Sequence, residues 1–247
     1  TPSTAITNTE NMSVLKEIPQ NKKVFSLNDP FKGEYQGYFN AYMWHNQYNV
    51  DRIESGDISL NDYVDSFDYV LCAKNMELSD IEKQYLQNAD NQLELISESQ
   101  THLLYKVHKN MQEKIVVSET CNPIQESTIN DPLVYSFTVN ESAYSIEQKV
   151  ENTQNDICQM RFQINWMNSK GELIDVFINV YDLEPGIHTN MIHGIIPPDG
   201  ATVGLLYVSP HDDSTIKVYK YSLKGMESTR SDLEEQEDIY ISRGLLS

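Results

Sequence analysis

The chain has 247 residues, with 18 Lys and Arg against 37 Asp and Glu, a formal net charge of −19. That balance argues against a nucleic-acid or anionic-membrane surface, because no basic stripe exists to displace counterions from phosphates. A hydrophobic share of 39% with 15 tyrosines excludes a disordered chain, and no apolar run approaches the ~20 residues of a membrane helix.

The first residue is Thr1 rather than Met, and residues 1–11 lack the basic start and apolar core of a signal peptide. The expectation is a processed or excised piece, with a membrane anchor among the candidates for what lies upstream. Residues 1–110 alternate short apolar strands with helical stretches. Lys23–Leu27 reads as a buried strand. Ser59 offers an N-cap with Asp62 three residues on, opening a short helix to about Ser66. Phe67–Ala73 reads as a second buried strand. Ser79 caps a helix to Asn88, with Glu82 at the capping-box position and Ile81, Tyr85 and Leu86 at helical spacing. Leu93–Ser97 and Thr101–His108 form a hairpin. This alternation predicts a small Rossmann-like α/β domain over 1–110, its sheet parallel or mixed.

Residues 111–226 are almost all strand signal. Strands are expected at 114–119, 132–139, 144–151, 157–167, 172–181, 188–195, 202–209 and 215–224. Asn168–Gly171, Glu184–Gly186, Pro197–Gly200 and Pro210–Ser214 supply turns. Phe162, Ile164 and Trp166 alternate with Arg161, Gln163 and Asn165, as on a strand with one face in a core. About eight antiparallel strands predict a two-sheet sandwich over 111–226. Residues 227–247 form an acidic tail, either solvated or docking back. The expected fold class is α+β with two domains.

The chemistry is sparse. Asn28–Gly33, after the first strand, contains neither GxGxxG nor GxxxxGK[ST], so a degenerate domain is expected rather than a cofactor binder. No HExxH or GxSxG occurs, and His188 and His193 fall on opposite faces of a strand. No catalytic residue is named. Cys72 reads as a small buried hydrophobe, while a Cys121–Cys158 bridge stays open. Asp212 and Asp213 are candidate calcium ligands in a loop, beside the plain reading of solvated charges. The aromatic stretch Tyr35–Tyr48 supplies Tyr42, Trp44 and His45 as candidate glycan contacts. A sugar offers C–H faces to rings and hydroxyls to polar groups. Trp166 joins them, although it shares its strand face with Phe162 and Ile164, as a core residue would.

Two resemblances add context. Lys23–Leu27, Tyr38–Tyr42, Asp68–Leu71, Leu93–Ile96 and Leu103–Val107 resemble the soluble tail of bacterial multi-pass membrane proteins of the glycosyltransferase type. Gln163–Met167, Ser169–Gly171 and Ile196–Ala201, leading into Val203–Val208, look like a jelly-roll module of the carbohydrate-binding type. Together they imply a noncatalytic, extracytoplasmic domain pair at a bacterial cell surface. It would belong to a cell-envelope glycosyltransferase of polysaccharide assembly and recognise or position glycan or a partner. Its membrane contact would run only through an upstream region. The alternatives are a secreted carbohydrate-binding protein, and a soluble enzyme with its site at the carboxyl ends of strands 23–27 and 68–73.

Overall fold

Capping boxes open two of the helices of the first half, and both are legible as Ser-x-x-Asp and Ser-x-x-Glu. The computed structural model describes residues 12–19, 22–27, 42–43, 47–74, 77–88, 93–108 and 111–228. Helix α1 spans Gln47–Ser55, α2 spans Leu60–Val64 and α3 spans Asp80–Gln87. The Ser59 hydroxyl accepts from the Asp62 N–H at 3.1 Å, and the Asp62 carboxylate accepts from the Ser59 N–H at 3.2 Å. Ser79 and Glu82 repeat the exchange at 3.2 and 2.9 Å. Ser79→Ala leaves the Glu82 N–H without its acceptor and is expected to lower stability by about 1 kcal/mol, read by chemical denaturation.

The first half is built on five strands: β1 (Lys23–Leu27), β2 (Tyr42–Met43), β3 (Tyr69–Ala73), β4 (Leu93–Glu98) and β5 (His102–Val107). They lie in the order β2-β1-β3-β5-β4. β1 runs parallel to β2 and β3, whereas β5 is antiparallel to both β3 and β4. The Rossmann-like expectation is therefore corrected. A hairpin supplies two of the five strands, so half the sheet needs no crossover helix. Every residue of β1 and β3 is buried because both faces are covered. Phe25, Leu27, Val70 and Cys72 pack towards α2 and α3. Val24, Tyr69, Leu71 and Leu104 pack on Val14 and Ile18, beside a 3-10 helix at Met12–Glu17.

The second half carries β6 (Met111–Ser127), β7 (Leu133–Thr138), β8 (Ala143–Asn152), β9 (Cys158–Met167), β10 (Leu173–Leu183), β11 (Gly186–Ile195), β12 (Val203–Pro210) and β13 (Ile216–Ser228). One sheet has the order β10-β9-β12-β7 and the other β11-β8-β13-β6, and every pairing is antiparallel. Numbered one to eight along the chain, these are the sheets 5-4-7-2 and 6-3-8-1, the strand order of a jelly roll. All eight expected strands are present. β6 runs eight residues beyond its expected end at 119, through Pro123. It is an edge strand, and its ladder with β13 jumps from Thr120↔Lys220 to Gln125↔Val218. Pro123 lies in that irregular stretch, where a missing N–H breaks no ladder bond.

The two halves share a seam. Ala143, Ile196 and Met226 of the sandwich belong to the same buried cluster as Phe25, Tyr63 and Phe67. His193 Nε2 hydrogen-bonds the Ser66 carbonyl, and its ring stands edge-on to Phe67 with centroids 5.0 Å apart. Arg52 of α1 donates to the Pro197 carbonyl at 3.2 Å. The Lys23 ammonium lies 3.6 Å from Glu113, and burial pushes its pKa below the ordinary lysine value despite that partner.

Cys121 and Cys158 are free thiols, so the open disulfide is not formed. Both sit in an apolar cluster with Val150, Met160 and Val208, and burial pushes both thiol pKa values up. Cys72 is buried, as expected for a small hydrophobe.

Candidate functional site

The outer faces of the two sheets have opposite chemistry. On β11-β8-β13-β6, lysines and glutamates form a lattice. Lys220 pairs with Glu147 at 3.7 Å, Lys217 with Glu151 at 4.0 Å, and Lys224 with Glu113 at 2.9 Å. The Tyr219 hydroxyl adds a 2.7 Å bond to Glu151. Such a face is internally satisfied and gives a ligand little to gain.

The outer face of β10-β9-β12-β7 follows from strand alternation. Met160, Phe162, Ile164 and Trp166 of β9 are fully buried, so Arg161, Gln163 and Asn165 point the other way. Register then sets the rows. Val176, Asn165, Leu205 and Ser136 make one row, and Ile178, Gln163, Tyr207 and Val134 the next. Val180, Arg161 and Ser209 make the third. None of these eleven residues is acidic, in a chain with 37 Asp and Glu. Gln163, on an inner strand, is 9% exposed, against 41% for Ile178 and 49% for Val134 on the two edge strands.

Polar groups on this face are fixed but only partly used. Gln163 donates to the Asn165 carboxamide oxygen at 2.7 Å, and its own Oε1 is buried without a partner among the described residues. Arg161 donates through Nε and Nη2 to the Ser209 hydroxyl at 3.1 and 2.9 Å. Burial lowers the Arg161 pKa from its ordinary value, opposed by the neighbouring Tyr207. The result is one phenol ring, two carboxamides and one guanidinium among aliphatic side chains. It offers stacking and hydrogen bonding with no acid–base pair.

None of the described residues singled out from sequence is among these eleven. Trp166 is 0% exposed and packs in the sandwich core, its ring 6.2 Å from Phe137 and 6.0 Å from Tyr144, centroid to centroid. It presents no surface to a glycan, and that assignment is corrected. Tyr42 belongs to β2, paired through its backbone with Lys23. Trp44 and His45 lie outside the described residues. The Asp212 carboxylate accepts from the Gln159 N–H at 2.7 Å and the Ser214 N–H at 3.0 Å. Burial works to raise its pKa, but these bonds hold it below the ordinary carboxylate value. Its oxygens therefore already serve the turn, and no group of three His, Cys, Asp or Glu side chains converges among the described residues.

A cavity of about 410 Å³ opens between α1, α2 and α3, lined by Ile53, Leu60, Ile81, Tyr85 and the amides of Gln84 and Asn88. No carboxylate, cation or histidine lines it. At the carboxyl end of β3, Lys74 is tied to Glu98 and to the Ser99 carbonyl. No described helix is long and apolar enough to cross a membrane.

No protein-family model and no curated protein matches the chain. Solved structures it is similar to include the CBM22-1–GH10 modules of Clostridium thermocellum xylanase 10B complexed with xylohexaose. That match has 11% identity and a TM-score of 0.35, and covers 46% of this chain and 24% of that one. A carbohydrate-binding module from Cel9A of Ruminococcus flavefaciens matches at 12% identity and a TM-score of 0.31, over 45% of this chain and 98% of that one. A T13 particle of the virus IBDV matches at 9% identity and a TM-score of 0.33, over 54% and 35%. Likeness at that level carries no argument about ligand. The jelly roll rests on the strand order given above.

Proposed function

We propose that this chain is a glycan-recognition protein that binds through the outer face of β10-β9-β12-β7. The observation carrying the proposal is the acid-free patch of Tyr207, Gln163 and Asn165 with their row neighbours, on a strongly acidic protein. A sugar ring needs a flat apolar partner for its C–H face, and fixed amides for its hydroxyls. The chain's net charge of −19 also suits display outside the cell, where it would stand away from anionic lipid. Extracytoplasmic placement is part of this reading. Nothing among the described residues supports a membrane glycosyltransferase as the parent.

The test is affinity electrophoresis against a panel of soluble polysaccharides, with Tyr207→Ala as the variant. The expected result is retardation by at least one polysaccharide and a loss of about tenfold or more in affinity for Tyr207→Ala, with its melt unchanged. One lost stacking contact of ~1.4 kcal/mol corresponds to that factor. Retardation by none, or equal retardation of variant and parent, would overturn the proposal.

A further inference from the structure

Arg161 has a different standing from the lysines across the sandwich. Lys217, Lys220 and Lys224 each have a carboxylate within 4.0 Å. Arg161 is half-buried and has none among the described residues. Among the described residues its side chain hydrogen-bonds only the Ser209 hydroxyl, fully buried on β12. A guanidinium has five N–H donors in a planar fork. Nε and Nη2 each place one hydrogen on Ser209, which fixes the plane. Both Nη1 hydrogens and the second Nη2 hydrogen remain, and that edge has the spacing to chelate a carboxylate.

Arg161 and Tyr207 are diagonal neighbours on β9 and β12, because Arg161 pairs with Ser209 and Tyr207 with Gln163. Diagonal positions lie about 7–8 Å apart, within reach of one another for long side chains. A pyranose ring stacked on Tyr207 with a carboxylate on its C5 substituent would span that distance. Leaving a half-buried cation without a counter-charge is costly, and an arriving carboxylate would remove the cost.

We infer that this face recognises a carboxylate-bearing glycan, a uronic-acid polymer, with the open edge of the Arg161 guanidinium as its anion site. The inference rests on the glycan reading above and adds the sugar class to it. The charge of the rest of the chain opposes an anionic ligand only weakly beyond ~8 Å at physiological ionic strength.

The experiment is isothermal titration of the full chain with an oligogalacturonate and with the same oligosaccharide after carboxyl reduction. The parent is expected to prefer the uronate by about tenfold or more. Arg161→Gln should erase that preference, so that the uronate and the reduced sugar bind alike. Arg161→Lys, which keeps the charge but loses the planar fork, should retain only part of it. Equal binding of both sugars by the parent, or a preference that survives in Arg161→Gln, would overturn the uronate inference and leave glycan binding standing. Failure to bind either sugar would overturn the inference, and the polysaccharide panel with Tyr207→Ala then judges the broader reading separately. A melt of each variant within a degree or two of the parent assigns the change to the ligand contact.

Discussion

Trp166→Ala should remove about 3–5 kcal/mol of unfolding free energy, and with it most of the cooperative melt at elevated temperature. The indole is fully buried and touches both sheets, Phe137 from β7 and Tyr144 from β8. Alanine would leave a void between two four-stranded sheets that cannot close on it without losing register. Trp166→Phe should cost much less than alanine. The smaller ring keeps the contacts with Phe137 and Tyr144. It also drops an indole N–H that is buried without an acceptor among the described residues, a group whose burial costs about 1–3 kcal/mol. Urea denaturation of the three proteins tests the order. If alanine were tolerated like phenylalanine, Trp166 would not be the centre of the core.

The same residue marks how far the sequence could be read. Alternation in Arg161–Trp166 correctly separates two faces of a strand, because a period of two is local information. It names which residues share a face, and by itself not which face is buried. The apolar partners Phe162 and Ile164 decide that for Trp166, and they place it inside. The candidate glycan surface follows by default as Arg161, Gln163 and Asn165. Tyr207 completes it, yet nothing near Val203–Pro210 in the chain indicates that β12 lies against β9. Its paired residues on β9 are 36 or more positions away, and the pairing is set by jelly-roll topology. The capping boxes at Ser59 and Ser79 were legible for the opposite reason, since both bonds of each box close within three residues. Helix α1 has no Ser-x-x-Asp or Ser-x-x-Glu signal at its start in the sequence, and the sequence does not predict it. Its anchor, Arg52 on the Pro197 carbonyl, spans 145 positions. The sequence left the sheet parallel or mixed, and the antiparallel pairing of β5 with β3, which joins the hairpin to the parallel strands, decides for mixed.

The seam gives the second large effect. Gly194 has φ of +73°, in the region that side chains rarely adopt. It follows His193, within an irregular stretch of the β11–β8 ladder between Ile192 and Ile195. A Cβ there would stand 2.4 Å from the Tyr63 ring and 3.2 Å from Phe67. Both rings are fully buried and packed edge-on to Phe25 at 5.2 and 5.3 Å, so neither can swing away. Gly194→Ala is therefore expected to cost about 2–4 kcal/mol, joining backbone strain to overpacking. Gly200 supplies the control. Its φ is +83°, but an added Cβ meets nothing within 4 Å. Gly200→Ala should cost only the strain, about 1 kcal/mol. The difference between the two variants measures the seam itself. Because Tyr63 and Phe67 share their cluster with Ala143, Ile196 and Met226, the parent is expected to melt in one transition. Gly194→Ala should lower that transition, or split it into a mixed-sheet step and a sandwich step. Calorimetry that shows two transitions already in the parent would mean that the shared cluster does not couple the halves, and that each folds on its own core.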